Sequence, residues 1–188
     1  NTFFLTDNSY GANKRRCELE FIHSTADFAH WSILRPCHIY GPGSRLGCLP
    51  EHGRDPDLIE RIRTGKPLRL VGGGKFLQQP IFVDDLAHLA LSCPFSPCSA
   101  RQIYHCAGPD VVESVTYYQI LAELLGCSLN VEEIPVLDYL REHPEQKSFL
   151  CHRIYDLKKI RMDCLQVPST PLHTGLRIHL ESLLHHSF

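Results

Sequence analysis

The sequence predicts an α/β fold in which some of the strands pair in parallel. Helical and strand-like segments alternate from Tyr10 to His185 instead of clustering by type, the pattern of a sheet whose strands are joined through helices. The strand candidates include a short apolar run at Trp31–Arg35, as expected of a buried strand. No internal repeat, low-complexity stretch or linker divides the chain, so residues 1–188 are read as one lobe.

The elements follow in order. Tyr10 to Phe28 reads as a helix, with Ala12, Cys17, Leu19, Phe21 and Ile22 interleaved with charged positions. The Trp31–Arg35 strand gives way to a loop rich in Gly and Pro, from Pro36 to Pro50. Asp55 is placed as the N-cap and Pro56 as the first residue of a helix through Arg63, ended by Gly65-Lys66-Pro67. Leu68–Val71 and Pro80–Val83 read as strands around the Gly72-Gly73-Gly74 turn, and Asp84 is expected to cap a helix through Leu91. A strand at Gln102–Cys106, a helix from Ser114 closed by Gly126, a strand within Leu129–Ile134 and a short helix at Val136–Arg141 come next. Thr170-Pro171 opens a final helix through His185, with Leu172, Leu176, Leu180, Leu183 and Leu184 at helical spacing.

Composition narrows the function. Hydrophobic residues make up 43% and charged residues 21% of the 188, which is enough apolar content for an ordinary core. A net charge of −2 with scattered Lys and Arg excludes a nucleic-acid-binding face. No apolar run is long enough for a transmembrane segment, and no secretory signal stands at the start, so a cytoplasmic protein is expected. The nine Cys include no CxxC and read as reduced thiols that pack as small hydrophobes. Residue 1 is Asn and the single Met is Met162, so the N-terminus is expected to have been removed, or to continue into a longer chain.

Candidate chemistry begins with Tyr10 and Lys14, four apart on one helical face. A phenol is a poor base at neutral pH, and a nearby ammonium favours the phenolate. Such a pair can exchange a proton with a substrate hydroxyl while a nicotinamide exchanges the hydride. Among the twelve His, the groups His105-Cys106, Cys151-His152 and Cys48/His52 lack metal-site spacing, and no metal is assigned. Asp84 and Asp85 read as capping residues and Arg35 as structural, whereas the open Arg45 is a candidate for an anionic substrate.

The surrounding text is more specific. Ser9-Tyr10-Gly11-Ala12-Asn13-Lys14-Arg15-Arg16-Cys17-Glu18 resembles the YGxxKxxxE signature of extended short-chain dehydrogenases of the NAD-dependent epimerase/dehydratase kind. Leu34-Arg35-Pro36-Cys37-His38-Ile39-Tyr40-Gly41-Pro42-Gly43 resembles that family's LRPxxVYGPG block. Pro80-Ile81-Phe82-Val83-Asp84-Asp85-Leu86-Ala87 resembles its hVdDlA segment, and Tyr155-Asp156-Leu157-Lys158-Lys159 its late D-x-x-K helix. The blocks stand in the family's order. The resemblance implies the C-terminal portion of a Rossmann-like NAD(P)-binding fold with the smaller substrate-binding lobe. The end of the dinucleotide-binding domain, about 1–50 and 76–110, would be interleaved with that lobe. It also implies NAD or NADP as cofactor, Tyr10 as acid/base and Lys14 as its partner on the cofactor. Pro36 and Cys37 would lie against the nicotinamide, and His38, Gln78 and Arg45 would face a small-molecule substrate, sugar-like or steroid-like. A homodimer through the Tyr10–Phe28 helix is a further expectation.

Three departures qualify this. His38 stands where sugar-nucleotide epimerases often carry Asn. Gln78, in Leu77-Gln78-Gln79-Pro80, stands where nucleotide-sugar enzymes carry an Arg able to bind a phosphate bidentately. The Gly-rich turn of the dinucleotide site is absent: Gly41-Pro42-Gly43-Ser44-Arg45-Leu46-Gly47 has the wrong spacing and is not followed by a helix start. Thr2 and Thr6 are too close to Tyr10 to replace the family's catalytic Ser or Thr. Two readings stand side by side: an NAD(P)-dependent oxidoreductase, epimerase or dehydratase whose nucleotide-binding half lies elsewhere, or a non-catalytic module acting through protein interaction.

Overall fold

A computed structural model describes residues 10–23 and 30–185. Helix α1 (Tyr10–His23) is followed by β1 (Ser32–Pro36), β2 (Ile39–Tyr40), α2 (Leu58–Arg63) and β3 (Leu68–Val71). Then come β4 (Leu77–Gln78), β5 (Ile81–Phe82), α3 (Val83–Ser92) and β6 (Gln102–Cys106). The order closes with β7 (Val112–Glu113), α4 (Ser114–Leu124), β8 (Val131–Ile134), α5 (Val136–Glu142), α6 (Lys158–Met162) and α7 (Leu172–His185).

The expected parallel pairing is present. β1 pairs with β6 in register from Ser32–Gln102 to Pro36–Cys106, β2 pairs with β5, and β3 with β8, all parallel. Among the described residues only β4 and β7 run antiparallel. Each parallel pair joins segments far apart in sequence, which requires the intervening helices to cross over the sheet.

Three apolar clusters form among the described residues. One gathers Ile81, Leu89, Tyr104, Cys106 and Ile160 around β1 and β6. The larger gathers Tyr40, Leu58, Tyr117, Leu121, Leu176 and Leu180 around α4 and α7. The leucine stripe expected on the last helix is the reason α7 docks there: Leu172, Leu176 and Leu180 are buried, with Leu183 and Leu184 packed at the margin. A third cluster, Val71, Ile134 and Tyr139, closes the β3–β8 end.

Several local expectations need correction. The first helix is described only to His23, and residues 24–28 lie outside the described residues. Cys17 is exposed rather than packed. Asp55 does not cap α2, which starts at Leu58. Its carboxylate instead accepts the N–H of Asp57 at 2.9 Å and pairs with His52, so Pro56 lies in the turn before the helix. Asp84 and Asp85 do not cap α3, which begins at Val83 after extended Phe82. Buried Asp85 accepts the N–H groups of Ser169 and Thr170 at 3.1 and 2.8 Å, holding the chain that leads into α7. A carboxylate that satisfies backbone donors across 84 residues is a long-range contact that local spacing does not reveal. No helix among the described residues is long and apolar enough to cross a membrane.

Candidate active site

The site begins with how α1 is held. Glu18 receives Arg35 bidentately, Nε to Oε1 at 2.8 Å and Nη2 to Oε2 at 2.6 Å, which ties α1 to the end of β1. The Arg35 guanidinium is the main reason the Glu18 carboxyl sits below its ordinary range. Ala12, 1% exposed, lets the helix approach closely. Tyr10, two residues earlier, is 78% exposed and opens onto a cavity of about 560 Å³. Lys14 Nζ lies 5.5 Å from the centroid of the Tyr10 ring, so the pair expected from the spacing meets, although Lys14 does not line the cavity.

The opposite wall comes from the end of β1. Pro36, Cys37 and His38 line the cavity, as do Arg45 and Gln78. Thus every residue expected in the site except Lys14 faces this one space. The Cys37 thiol donates to the Gln79 carbonyl at 2.7 Å, and burial pushes it up to about 12, so it stays neutral. Gln78 is 4% exposed and spends its amide on Cys48 Sγ at 3.3 Å. It therefore braces the floor more than it offers groups to a ligand.

The loop from Gly41 to Leu49 is held from beneath. His179, fully buried on α7, accepts the Gly41 N–H on Nδ1 at 3.2 Å and reaches the Ser44 carbonyl with Nε2 at 2.9 Å. That pattern requires a neutral imidazole, and burial lowers its affinity for a proton. The Tyr117 hydroxyl accepts the Gly47 N–H and the Tyr118 hydroxyl the Cys48 N–H. His38 sits above Tyr117 with ring centroids 5.7 Å apart.

Part of His38 remains solvent-accessible, but its ring is enclosed by protein atoms, and that enclosure sets its titration. Desolvation first, and then the charge of Arg153, lowers it to about 4. Because the folded value lies below the unfolded one of about 6.5, the unfolded chain takes up the proton first. This contribution to stability is complete above about pH 6.5 and is lost as pH falls from there through about 4. Urea unfolding at pH 7.5 and pH 5 is expected to show a loss of roughly 2 kcal/mol from this residue. His38→Gln should flatten that slope, and an unchanged slope would mean that His38 is not the acid-sensitive group.

Arg54, Phe149, Arg153 and Tyr155, which no motif marks as site residues, also line the wall. Tyr155 was in view only as part of the D-x-x-K block. Gln79 brings it in: Gln79 Oε1 accepts the Tyr155 N–H and Gln79 Nε2 donates to the Gly108 carbonyl, both at 2.8 Å. The side chains once grouped as metal candidates are used otherwise. His105 stacks on Tyr155, His152 accepts the Leu77 N–H, and His52 pairs with Asp55. Among the described residues, no group of three or more His, Cys, Asp or Glu is placed to hold a metal.

The sequence pattern of the NAD dependent epimerase/dehydratase family matches residues 2–93, the stretch that carries Tyr10, Lys14, Pro36–His38 and Gln78. Comparison with curated proteins finds no significant sequence match. Among solved structures, the chain is similar to the UDP-glucose 4-epimerase of Thermotoga maritima with UDP-glucose, at TM-score 0.73 and 20% identity over 94% of this chain and 53% of that one. It is similar to the UDP-N-acetylglucosamine 4-epimerase of Methanobrevibacter ruminantium M1 with UDP-N-acetylmuramic acid, at 0.73 and 17% over 94% and 54%. It is also similar to Bordetella bronchiseptica WbmF with NAD+ and UDP, at 0.71 and 21% over 96% and 54%. At these identities the likeness is one of fold: the chain has an α/β architecture corresponding to a portion of the epimerases' Rossmann-like fold. It spans about half the length of these three structures.

Proposed function

We propose that the whole protein is an NAD(P)-dependent oxidoreductase, epimerase or dehydratase, and that this chain builds the substrate side of its active site. In this reading residues of about 1–50 and 76–110 finish the dinucleotide-binding domain and the remainder forms the substrate lobe. The observation that carries it is the convergence of Tyr10, Pro36, Cys37 and His38 on one cavity.

The residues present fit the reactive end of a nicotinamide cofactor. Pro36 has no N–H and the Cys37 thiol is neutral and satisfied, so this edge of the cavity presents an uncharged surface beside the Tyr10 phenol. Pro36 and Cys37 would hold the ring edge, and Lys14 and Tyr10 the adjoining hydroxyls. When bound, the nicotinamide supplies hydride exchange. Tyr10 gives a proton to, or takes one from, a substrate hydroxyl or carbonyl oxygen, and its exposure leaves that oxygen free to reach it. Lys14 acts through the ring it covers. The neighbours solved with UDP-sugars make a sugar nucleotide the first substrate class to assay.

A non-catalytic interaction module is the second reading, favoured by one observation. Among the described residues no Gly-rich turn leads into a helix start where a cofactor's diphosphate could rest. Binding of NADH and NADPH, followed by energy transfer from the single tryptophan, Trp31, separates the two. The whole protein is expected to bind one of them at micromolar concentration. Lack of binding by the whole protein would remove the oxidoreductase reading, and micromolar binding by residues 1–188 alone would remove the other.

A further inference from the structure

We propose that the surface hollow between the Glu51–Asp55 segment and β3 is a second binding site, for a small phosphate-bearing ligand, separate from the cavity that Tyr10 faces. The hollow holds about 460 Å³, and Arg54, Arg61, Arg69 and His52 line it together with Glu51 and Asp55. Tyr10 and Pro36–His38 do not line it. The site needs neither cofactor nor Tyr10, so it stands or falls independently of the oxidoreductase reading. Its back wall is built. The His52 N–H donates to the Cys48 carbonyl at 3.1 Å and the Asp55 N–H to the Leu46 carbonyl at 3.0 Å, which ties the segment to two buried residues. His52 is 7% exposed, and its ring meets that of Tyr118 edge-on with centroids 5.8 Å apart.

His52 Nδ1 lies 2.9 Å from Asp55 Oδ2, so the carboxylate keeps a proton on that nitrogen. The opposite nitrogen, Nε2, is buried without a hydrogen-bond partner. Arg61 Nε is buried without one as well, since Asp55 Oδ2 at 3.6 Å pairs with it by charge but is too far for a hydrogen bond. Two of the four such atoms among the described residues therefore border this one hollow. Buried polar groups are satisfied almost everywhere in a folded chain, so two side by side point to a ligand. Charge selects an anion. Arg54 enters none of the ion pairs among the described residues, and Arg69 meets Glu132 only at 3.8 Å with both side chains more than half exposed. Of the acids, Asp55 is taken up by His52, Arg61 and the Asp57 N–H, and Glu51 faces the Tyr139 hydroxyl, whose titration it raises after burial has. His52 selects phosphate among anions. Its Nε2 is an acceptor in the neutral ring and a donor in the imidazolium. A phosphate monoester, titrating at about 6, offers P–OH to the first and P–O⁻ to the second. A sulfate offers only acceptors. The guanidinium forks of Arg61 and Arg69 match phosphate oxygens through paired N–H groups. Gly53 and Arg54 line both spaces, so an occupant of the hollow bears on the partition between them.

Calorimetric titration of the 188-residue chain with inorganic phosphate, glycerol 3-phosphate, sulfate and uncharged glycerol tests the site. One or both phosphates should bind, sulfate about threefold or more weaker, and glycerol not at all. The tighter of the two phosphates tells whether the free ion or a phosphomonoester is the occupant. Arg69→Gln, at a side chain 55% exposed, should weaken binding about fivefold or more. Arg45→Gln, on the wall of the Tyr10 cavity alone, should leave it within about twofold. In the unsubstituted chain the His52 imidazole resonances should shift along the same saturation curve, a readout that needs no variant to fold. Absence of phosphate binding, sulfate binding equal to phosphate, Arg69→Gln binding like the parent, a loss that falls on Arg45→Gln instead, or unmoved His52 resonances would each overturn the site.

Discussion

Tyr10→Phe in the whole protein is expected to lower kcat by about 10²- to 10⁴-fold, the usual worth of a positioned acid/base, with little change in stability. The hydroxyl is the only group removed. The ring is 78% exposed and α1 is held by Arg35–Glu18 and Ala12, which the substitution leaves in place. The loss should therefore fall on kcat, with KM nearly unchanged and an unfolding midpoint within a few tenths of a kcal/mol of the parent. Steady-state kinetics beside a thermal melt would check both parts. Turnover within threefold of the parent would remove Tyr10 from the chemistry, whatever the cofactor does.

Gly47→Ala should destabilise the fold by more than about 4 kcal/mol, the range in which a substitution has a specific structural cause. Gly47 has φ +118, where side-chain-bearing residues are strained, and an added Cβ would lie 1.7 Å from the His52 carbonyl oxygen. That oxygen belongs to backbone and cannot swing aside as a side chain would. Relief would require moving the loop that gives its N–H groups to Tyr117 and Tyr118. Gly43→Ala is the control: its φ is +85, but nothing stands within 4 Å of the new Cβ, so only the conformational cost of about 1 kcal/mol applies. Urea unfolding of the two variants should rank them in that order. Equal losses would show that the Gly47 contact relaxes and that the loop beneath the cavity is softer than its hydrogen bonds suggest.

Most elements were legible in the sequence because their signals are local. The apolar run before Arg35 and the β strand at Gln102–Cys106 appear where the residues predict them, within one position. The Leu172–Leu184 stripe on α7 records its buried face. The two-residue strands β2, β4 and β7 were not legible, since so short a segment carries no periodicity and exists only through its partner. Capping at Asp55 and Asp84 was misread for a related reason. Asp55 gives its carboxylate to the Asp57 N–H and His52 instead, and α3 begins at Val83, ahead of Asp84, while its neighbour Asp85 finds its partners 84 residues away.

The candidate site divides in the same way. By itself the sequence determined the α/β class and singled out Tyr10, Lys14, Pro36, Cys37 and His38 as candidates, within two of the four ordered blocks that resemble one family, with Gln78 just ahead of the third. The tertiary structure alone decided what surrounds them. It turned Gln78 inward onto Cys48, enclosed the His38 ring, seated His179 beneath the Gly41–Ser44 turn and brought Arg153 to the wall. Those outcomes depend on which distant segments desolvate or charge a given side chain. Burial and field at a point in space are sums over the whole packed chain, and no local spacing encodes them.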